Sequence, residues 1–181
     1  MSSYKRDKIV VIDCEMSCWS NKEEQGNQSS EIIQIGLCSF NITTEEIEQA
    51  TSYLIKPKYS TISEYCSALT GLTPKIMKGA IPLSDACNSI MKNFGSRGRV
   101  FATFGDDKTK FREDCLRKNA NYPFGNYCID VSLWFHLKYR QKNNLSLAAA
   151  LENIDLEFKG KPHNALIDAV NTAKLLQHLI S

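Results

Sequence analysis

The chain has 181 residues, 43% of them hydrophobic and 23% charged, with a formal net charge of +2. That length suits one globular domain with a core of its own; a strong nucleic-acid binder often carries a far larger excess of Lys and Arg, and brief contact with a polyanion fits this balance. Seven cysteines, an odd count without CxxC spacing, exclude a disulfide framework or zinc knuckle and point to reduced thiols in an intracellular, cytoplasmic protein, and the N-terminal apolar run is too short for a signal peptide or a membrane span.

Lys8–Cys14 is a continuous β-branched run, the pattern of a central strand buried on both faces. Residues 17–30 are polar and read as a loop. Glu31–Phe40 and Ile47–Lys56 read as a second and third strand, joined by a turn at Asn41–Glu45 and forming an antiparallel meander with the first. Helical patterns follow at Ser63–Leu69, at a short segment opened by Thr73-Pro74, and at Leu83–Phe94. Arg99–Thr103 reads as a fourth strand, Asp107–Asn119 as a helix and Tyr127–Asp130 as a fifth strand. Helices then cover Val131–Arg140, Leu147–Asn153 and Asn164–Ile180. Strands first, then alternating helices and strands, predict an α/β layered domain with a mixed sheet, a single unit over residues 1–181 with its core at about 8–179.

Three groups of acidic residues stand out. Asp13 and Glu15 end the first strand, and alternation puts residues two apart on one face. At ~4 Å and an effective dielectric of ~20, two such charges repel by about 4 kcal/mol, so the pair implies either a hard divalent cation or two acids fraying into solvent. His163 and Asp168 lie just before and inside the last helix. They meet at one site if His163 sits on the loop supplied by Lys159-Gly160-Lys161-Pro162, and otherwise are an exposed His and a surface Asp. Asp106 and Asp107 open the middle helix. Asp107 shares a face with Phe111 and Cys115, whereas Asp106 aligns with Lys110 and Glu113, which favours Asp107 as the inward acid; both also suit the N-terminal end of a helix dipole.

Taken together, Ile12-Asp13-Cys14-Glu15, the Asp at the head of the middle helix, and His163 with Asp168 resemble the DEDDh (DnaQ-like) exonuclease family. The likeness runs from about Lys8 to Leu179. Finer features are similar to the ERI-type branch: Asp13–Trp19, Glu31–Gly36, Tyr65–Thr73, Tyr122-Pro123-Phe124 and Gly160–His163. One departure is Phe104-Gly105-Asp106-Asp107, where the branch usually carries Trp or Tyr near the second-motif Asp. It leaves Asp106 and Asp107 both open, with Asp107 keeping the spacing to Phe111.

The resemblance implies an RNase H-like fold, a mixed five-stranded sheet flanked by helices. It implies a 3′→5′ exonuclease that releases nucleoside 5′-monophosphates from single-stranded 3′ ends, RNA favoured. Asp13, Glu15, Asp107 and Asp168 would hold two divalent ions, Mg²⁺ or Mn²⁺, and His163 would act as the general base. Met16 and Ser17 would contact the terminal ribose through their backbones, and Leu72, in the turn Thr70-Gly71-Leu72-Thr73, would wedge against the terminal base. Core packing of Met16 and Leu72 and a helix C-cap at Gly71 are the plainer readings of the same residues. Lys159 and Lys161, flanking His163 in sequence, are the candidate phosphate contacts. The alternatives are a single-stranded DNA exonuclease of repair or proofreading and a catalytically inactive nucleic-acid-binding module, the latter opposed by the presence of all five catalytic-type residues. The partners implied are RNA or DNA 3′ ends without a membrane, and the chain would act as a monomer or homodimer.

Overall fold

The β-branched run around Val10 becomes the middle strand of a mixed sheet in the computed structural model, which describes residues 4–181. This strand, β1 (Lys5–Met16), is longer at both ends than its apolar centre, because its polar ends keep their ladder pairing. After a single helical turn, α1 (Lys22–Gln25), come β2 (Ile32–Asn41) and β3 (Ile47–Leu54), antiparallel to one another and to β1. Then follow α2 (Glu64–Thr70), a 3₁₀ turn (Ile76–Gly79), α3 (Leu83–Phe94), β4 (Arg99–Thr103), α4 (Asp107–Lys118), β5 (Cys128–Asp130), α5 (Val131–Lys138), α6 (Leu147–Glu152) and α7 (Ala165–Ile180). Among the described residues the strand order is β3-β2-β1-β4-β5, with β4 parallel to β1 and β5 parallel to β4. This is the mixed five-stranded sheet with flanking helices expected from the residue pattern.

Two small elements differ from expectation. The polar segment 17–30 contains α1, held by its cap: the Asn21 side chain accepts from the Glu24 N–H, and the Glu24 carboxylate accepts from the Ser20 N–H. Pro74 opens a turn that leads into a 3₁₀ helix rather than an α-helix. All seven cysteines are free thiols.

The unbroken apolar run in β1 serves both faces of the sheet. Val10 and Ile12 pack with Ile35, Leu37, Ile90 and Phe111 on the α3–α4 side. Ile9 and Val11 pack with Cys38, Phe40, Phe135 and Leu176 on the α5–α7 side. The parity continues past the apolar centre, so Asp13 and Glu15 fall on the α7 side while Cys14 stays in the α3–α4 core. Strands β1, β4 and β5 run parallel, so their C-terminal ends bring Asp13 and Glu15, the turn before α4, and Asp130 to one edge of the sheet.

Candidate active site

Asp13, Glu15 and Asp168 each offer a carboxylate oxygen, and the three oxygens lie within 4.8 Å of one another. Two come from alternate residues of β1 and the third from the first turn of α7. Burial drives the Asp13 carboxyl well above its ordinary range, and the charges of Asp107, Asp168 and Glu15 add to the effect. Burial, Asp168 and Asp107 push Glu15 up to about 7. Asp168 is raised as well by burial, with the backbone N–H of Asn164 opposing. Half-buried carboxylates packed this closely repel in isolation, and an all-oxygen donor set is what a hard divalent cation takes.

Asp107 stands at the first turn of α4, buried, while Asp106 is exposed. Burial pushes Asp107 up to about 7, Lys110 opposing, and its charge is the strongest single influence on Asp13 after burial itself. The turn before α4 sets this choice. Gly105 takes a φ of +91°, the Thr103 hydroxyl donates to the Gly105 carbonyl at 2.8 Å, and the Gly105 N–H donates to Asp130 Oδ1 at 3.2 Å. The pinned turn leaves Asp106 outside as the helix cap and turns Asp107 in.

His163 lines a cavity of about 450 Å³ together with Asp13, Glu15 and Asp168, and Phe104, Leu147, Phe158 and Pro162 form its apolar wall. The residue has a φ of +63°, a left-handed conformation that costs a non-glycine side chain energy. The loop before it is tied to α7 by Asn171, whose side chain accepts from the Lys159 N–H and donates to the Lys159 carbonyl. The start of α7 is tied in turn: Asn164 Oδ1 accepts from the Ile167 N–H, and Asp168 Oδ2 accepts from the Asn164 N–H at 3.0 Å. Asp168 therefore holds the helix cap while also standing in the carboxylate cluster.

Several expected contacts lie elsewhere. Leu72 is only 4% exposed and packs with Ile33 and Cys66, the plainer of the two readings of this residue. The Thr70 hydroxyl donates to the Cys66 carbonyl and accepts from the Leu72 N–H, and Gly71 caps α2 in a left-handed conformation. Ser17 is fully buried, its N–H donating to the Glu31 carbonyl and its own carbonyl accepting from the Ser30 hydroxyl. Lys159 lines a separate cavity with Leu156, Lys174 and His178, and Lys161 is exposed on the loop before His163. Met16 is half-buried and lines a cavity with Lys110, Glu113, Asp114 and Arg117. Sequence reasoning missed Phe104, Gln34, Gly36 and Asn171. Asn171 carried a faint signal, as an amide one turn beyond Asp168 in an otherwise apolar stripe.

Residues 10–176 match the RNase T family model, described as an exonuclease. Human ERI1 exoribonuclease 2 is 29% identical over 200 residues, which cover 96% of this chain and 28% of that protein. The 3′-5′ exonuclease Snipper of Drosophila melanogaster is 26% identical, over 95% of this chain and 69% of its own length. The nuclease domain of 3′hExo, a DEDDh family member solved bound to rAMP, superposes with a TM-score of 0.86 at 24% identity, over 98% of this chain and 92% of that one. The chain thus spans less than a third of the length of the human relative.

Proposed function

The chain belongs to the RNase T exonuclease family, and on that premise we propose that residues 8–179 form a single metal-dependent 3′→5′ exonuclease domain. It releases nucleoside 5′-monophosphates one at a time from single-stranded 3′ ends, RNA favoured. The observation that carries this reading is the meeting of Asp13, Glu15 and Asp168 within 4.8 Å at a sheet edge, with His163 on the same cavity. The preference for RNA is supported by the relatives named exoribonucleases.

Asp13, Glu15, Asp107 and Asp168 would hold two Mg²⁺ or Mn²⁺ ions, whose combined charge balances four carboxylates. When bound, the ions supply Lewis-acid activation of the attacking water and charge for the departing 3′ oxygen. The protein does the rest. His163, outside the carboxylate cluster, takes the proton from the water, a task a carboxylate engaged by a cation performs poorly. Phe104, Leu147, Phe158 and Pro162 form an apolar wall beside the carboxylates, which lowers the polarity of one side of the site and strengthens its electrostatics. Asn171 and Asn164 hold His163 and Asp168 at fixed positions before substrate arrives, so little reorganisation remains for the reaction.

The test is a 5′-labelled single-stranded RNA and its DNA counterpart, each incubated with purified protein and Mg²⁺ or Mn²⁺. A ladder shrinking from the 3′ end and abolished by EDTA is expected, faster on RNA. Intact strands with every metal from folded protein would overturn the reading, and a faster DNA ladder would transfer it to single-stranded DNA.

A further inference from the structure

Asn171 is 1% exposed, and its side chain is fully engaged. Its Nδ2 donates to the Lys159 carbonyl at 3.0 Å and to the Ile167 carbonyl at 2.9 Å. Its Oδ1 accepts from the Lys159 N–H at 3.1 Å and from Lys174 Nζ at 3.2 Å. Both N–H donors and both lone pairs of the carboxamide are thereby used. Three of these partners are backbone groups, and they fix which way the amide points. The remaining one is a cation.

The loop held in this way is short and preset. Gly160 has a φ of +100°, and a β-carbon there would stand 3.0 Å from Ile167 Cδ1 and Cγ2, so the loop lies against α7 at this residue too. His163 follows with a φ of +63°. A non-glycine residue keeps such a conformation only where its surroundings over-determine it. A shift of the Lys159 backbone is therefore passed along a stiff path to His163.

Lys174 stands one turn beyond Asn171 on α7, half-buried, and lines a cavity of about 400 Å³ with Lys159 and Gln177. Burial and then the Lys159 charge hold its ammonium below its ordinary range, with Glu157 opposing. The active-site cavity is lined by other residues. A cation on a carboxamide oxygen draws electron density from the nitrogen and makes both of its N–H groups stronger donors. The charge of Lys174 thus tightens the bonds from Asn171 to the Lys159 and Ile167 carbonyls.

We propose that Lys174 is a positioning residue for the general base: acting through Asn171, it fixes where the loop carries His163. The inference rests on the exonuclease reading, with His163 as its base, and adds a residue that acts from outside the active-site cavity.

The experiment measures kcat and KM with Mn²⁺ for the wild type, Lys174→Met and Lys174→Arg on two substrates. One is the p-nitrophenyl ester of a nucleoside 5′-monophosphate, too small to reach beyond the cleavage site, and the other is a single-stranded oligoribonucleotide. Lys174→Met should lower kcat about tenfold on both, the rate equivalent of one charged hydrogen bond, and leave KM within about twofold. Lys174→Arg, which still donates to the Asn171 oxygen, should recover most of the loss. In an Asn171→Leu background Lys174→Met should have no further effect. Wild-type kcat in Lys174→Met would overturn the proposal. A loss confined to the oligoribonucleotide, or to KM, would overturn it as well, because Lys174 would then touch the strand directly. So would a further tenfold loss in folded Asn171→Leu; the comparison of the two substrates decides without that variant if it fails to fold. A wild type that cleaves neither substrate would instead overturn the exonuclease reading on which the proposal rests.

Discussion

Gly36 of β2 lies so close to Ala165 of α7 that a β-carbon at position 36 would stand 2.0 Å from the Ala165 carbonyl carbon and 2.1 Å from the Leu166 nitrogen. Gly36 is also the ladder partner of Asp13, and Gln34 the partner of Glu15. The Gln34 side-chain oxygen accepts from the Ala165 N–H at 3.1 Å. Thus the two β2 residues opposite the β1 carboxylates form the seat on which the α7 N-terminus, with Asp168 in its first turn, is placed.

Gly36→Ala is expected to misplace Asp168, because the crowding atoms are backbone and cannot swing aside as a side chain would. The overpacking should cost about 1–3 kcal/mol of stability. Activity should fall by far more than the folded fraction does, with weaker Mn²⁺ binding by calorimetry. Wild-type Mn²⁺ affinity in a folded Gly36→Ala protein would show that α7 does not depend on this close approach.

Substitutions at the carboxylates should separate chemistry from folding. Asp13→Ala and Asp168→Ala are expected to abolish hydrolysis in a folded protein. His163→Ala should lower the rate by about 10²–10⁴-fold, the usual loss for a general base. Asp107→Asn should be severe and Asp106→Asn mild, since the first is buried beside Asp13 and the second is exposed. Single-turnover rates and circular dichroism on the same preparations check all five. The opposite ranking at 106 and 107 would transfer the role to Asp106.

Much of this arrangement was legible in the residues. The β1 run, the two-apart carboxylates, the helix boundaries at Leu83–Phe94 and the inward turn of Asp107 all follow from periodicity, a local property. What escaped is long-range. The acceptor role of Gln34 and the bareness of Gly36 have meaning only against a helix about 130 residues later. The burial of Leu72 against Ile33 and Cys66 depends on how α2 packs, which no local spacing encodes. The isolated turn α1 has too few residues for a periodic signal, and only its cap bonds reveal it.

The ion network beneath the site offers a stability test apart from chemistry. The buried Glu31 carboxylate accepts from the N–H groups of Lys58 and Tyr59 and from the Ser60 hydroxyl, with Lys118 Nζ at 2.7 Å. Lys118 also lies 2.9 Å from Asp114, which accepts from the Ile32 N–H. Lys118→Met would leave two buried carboxylates without their shared cation, at a cost of about 3–5 kcal/mol. The melting temperature should fall by about 10 °C, while the rate per folded molecule at low temperature stays within a few-fold of wild type. An unchanged melting temperature would mean that the remaining donors, with Arg117 on Asp114 and the Ser60 hydroxyl on Glu31, satisfy both carboxylates.

The carboxylate cluster should make the metal-free protein less stable as pH rises. Glu15 and Asp107 are pushed up to about 7, and Asp13 and Asp168 are raised too, whereas in the unfolded chain such groups titrate near ~4. Between those limits the folded state binds more protons than the unfolded one. The stabilising contribution is therefore complete below ~4 and is lost as pH rises through about 7. Asp7 and Glu31, whose carboxyls are lowered, act in the opposite sense, but they lose their contribution only as the pH falls below the ordinary carboxylate range, outside this window. In EDTA the melting temperature should drop by on the order of 5 °C from pH 5 to pH 8. Saturating Mn²⁺ should recover it at pH 8 and do little at pH 5, where protons hold the same oxygens. Glu15→Gln should flatten the metal-free profile, because the neutral amide no longer gains charge across that range. A metal-free protein that melts no lower at pH 8 than at pH 5 would mean that the four carboxylates do not repel one another in solution as their placement implies.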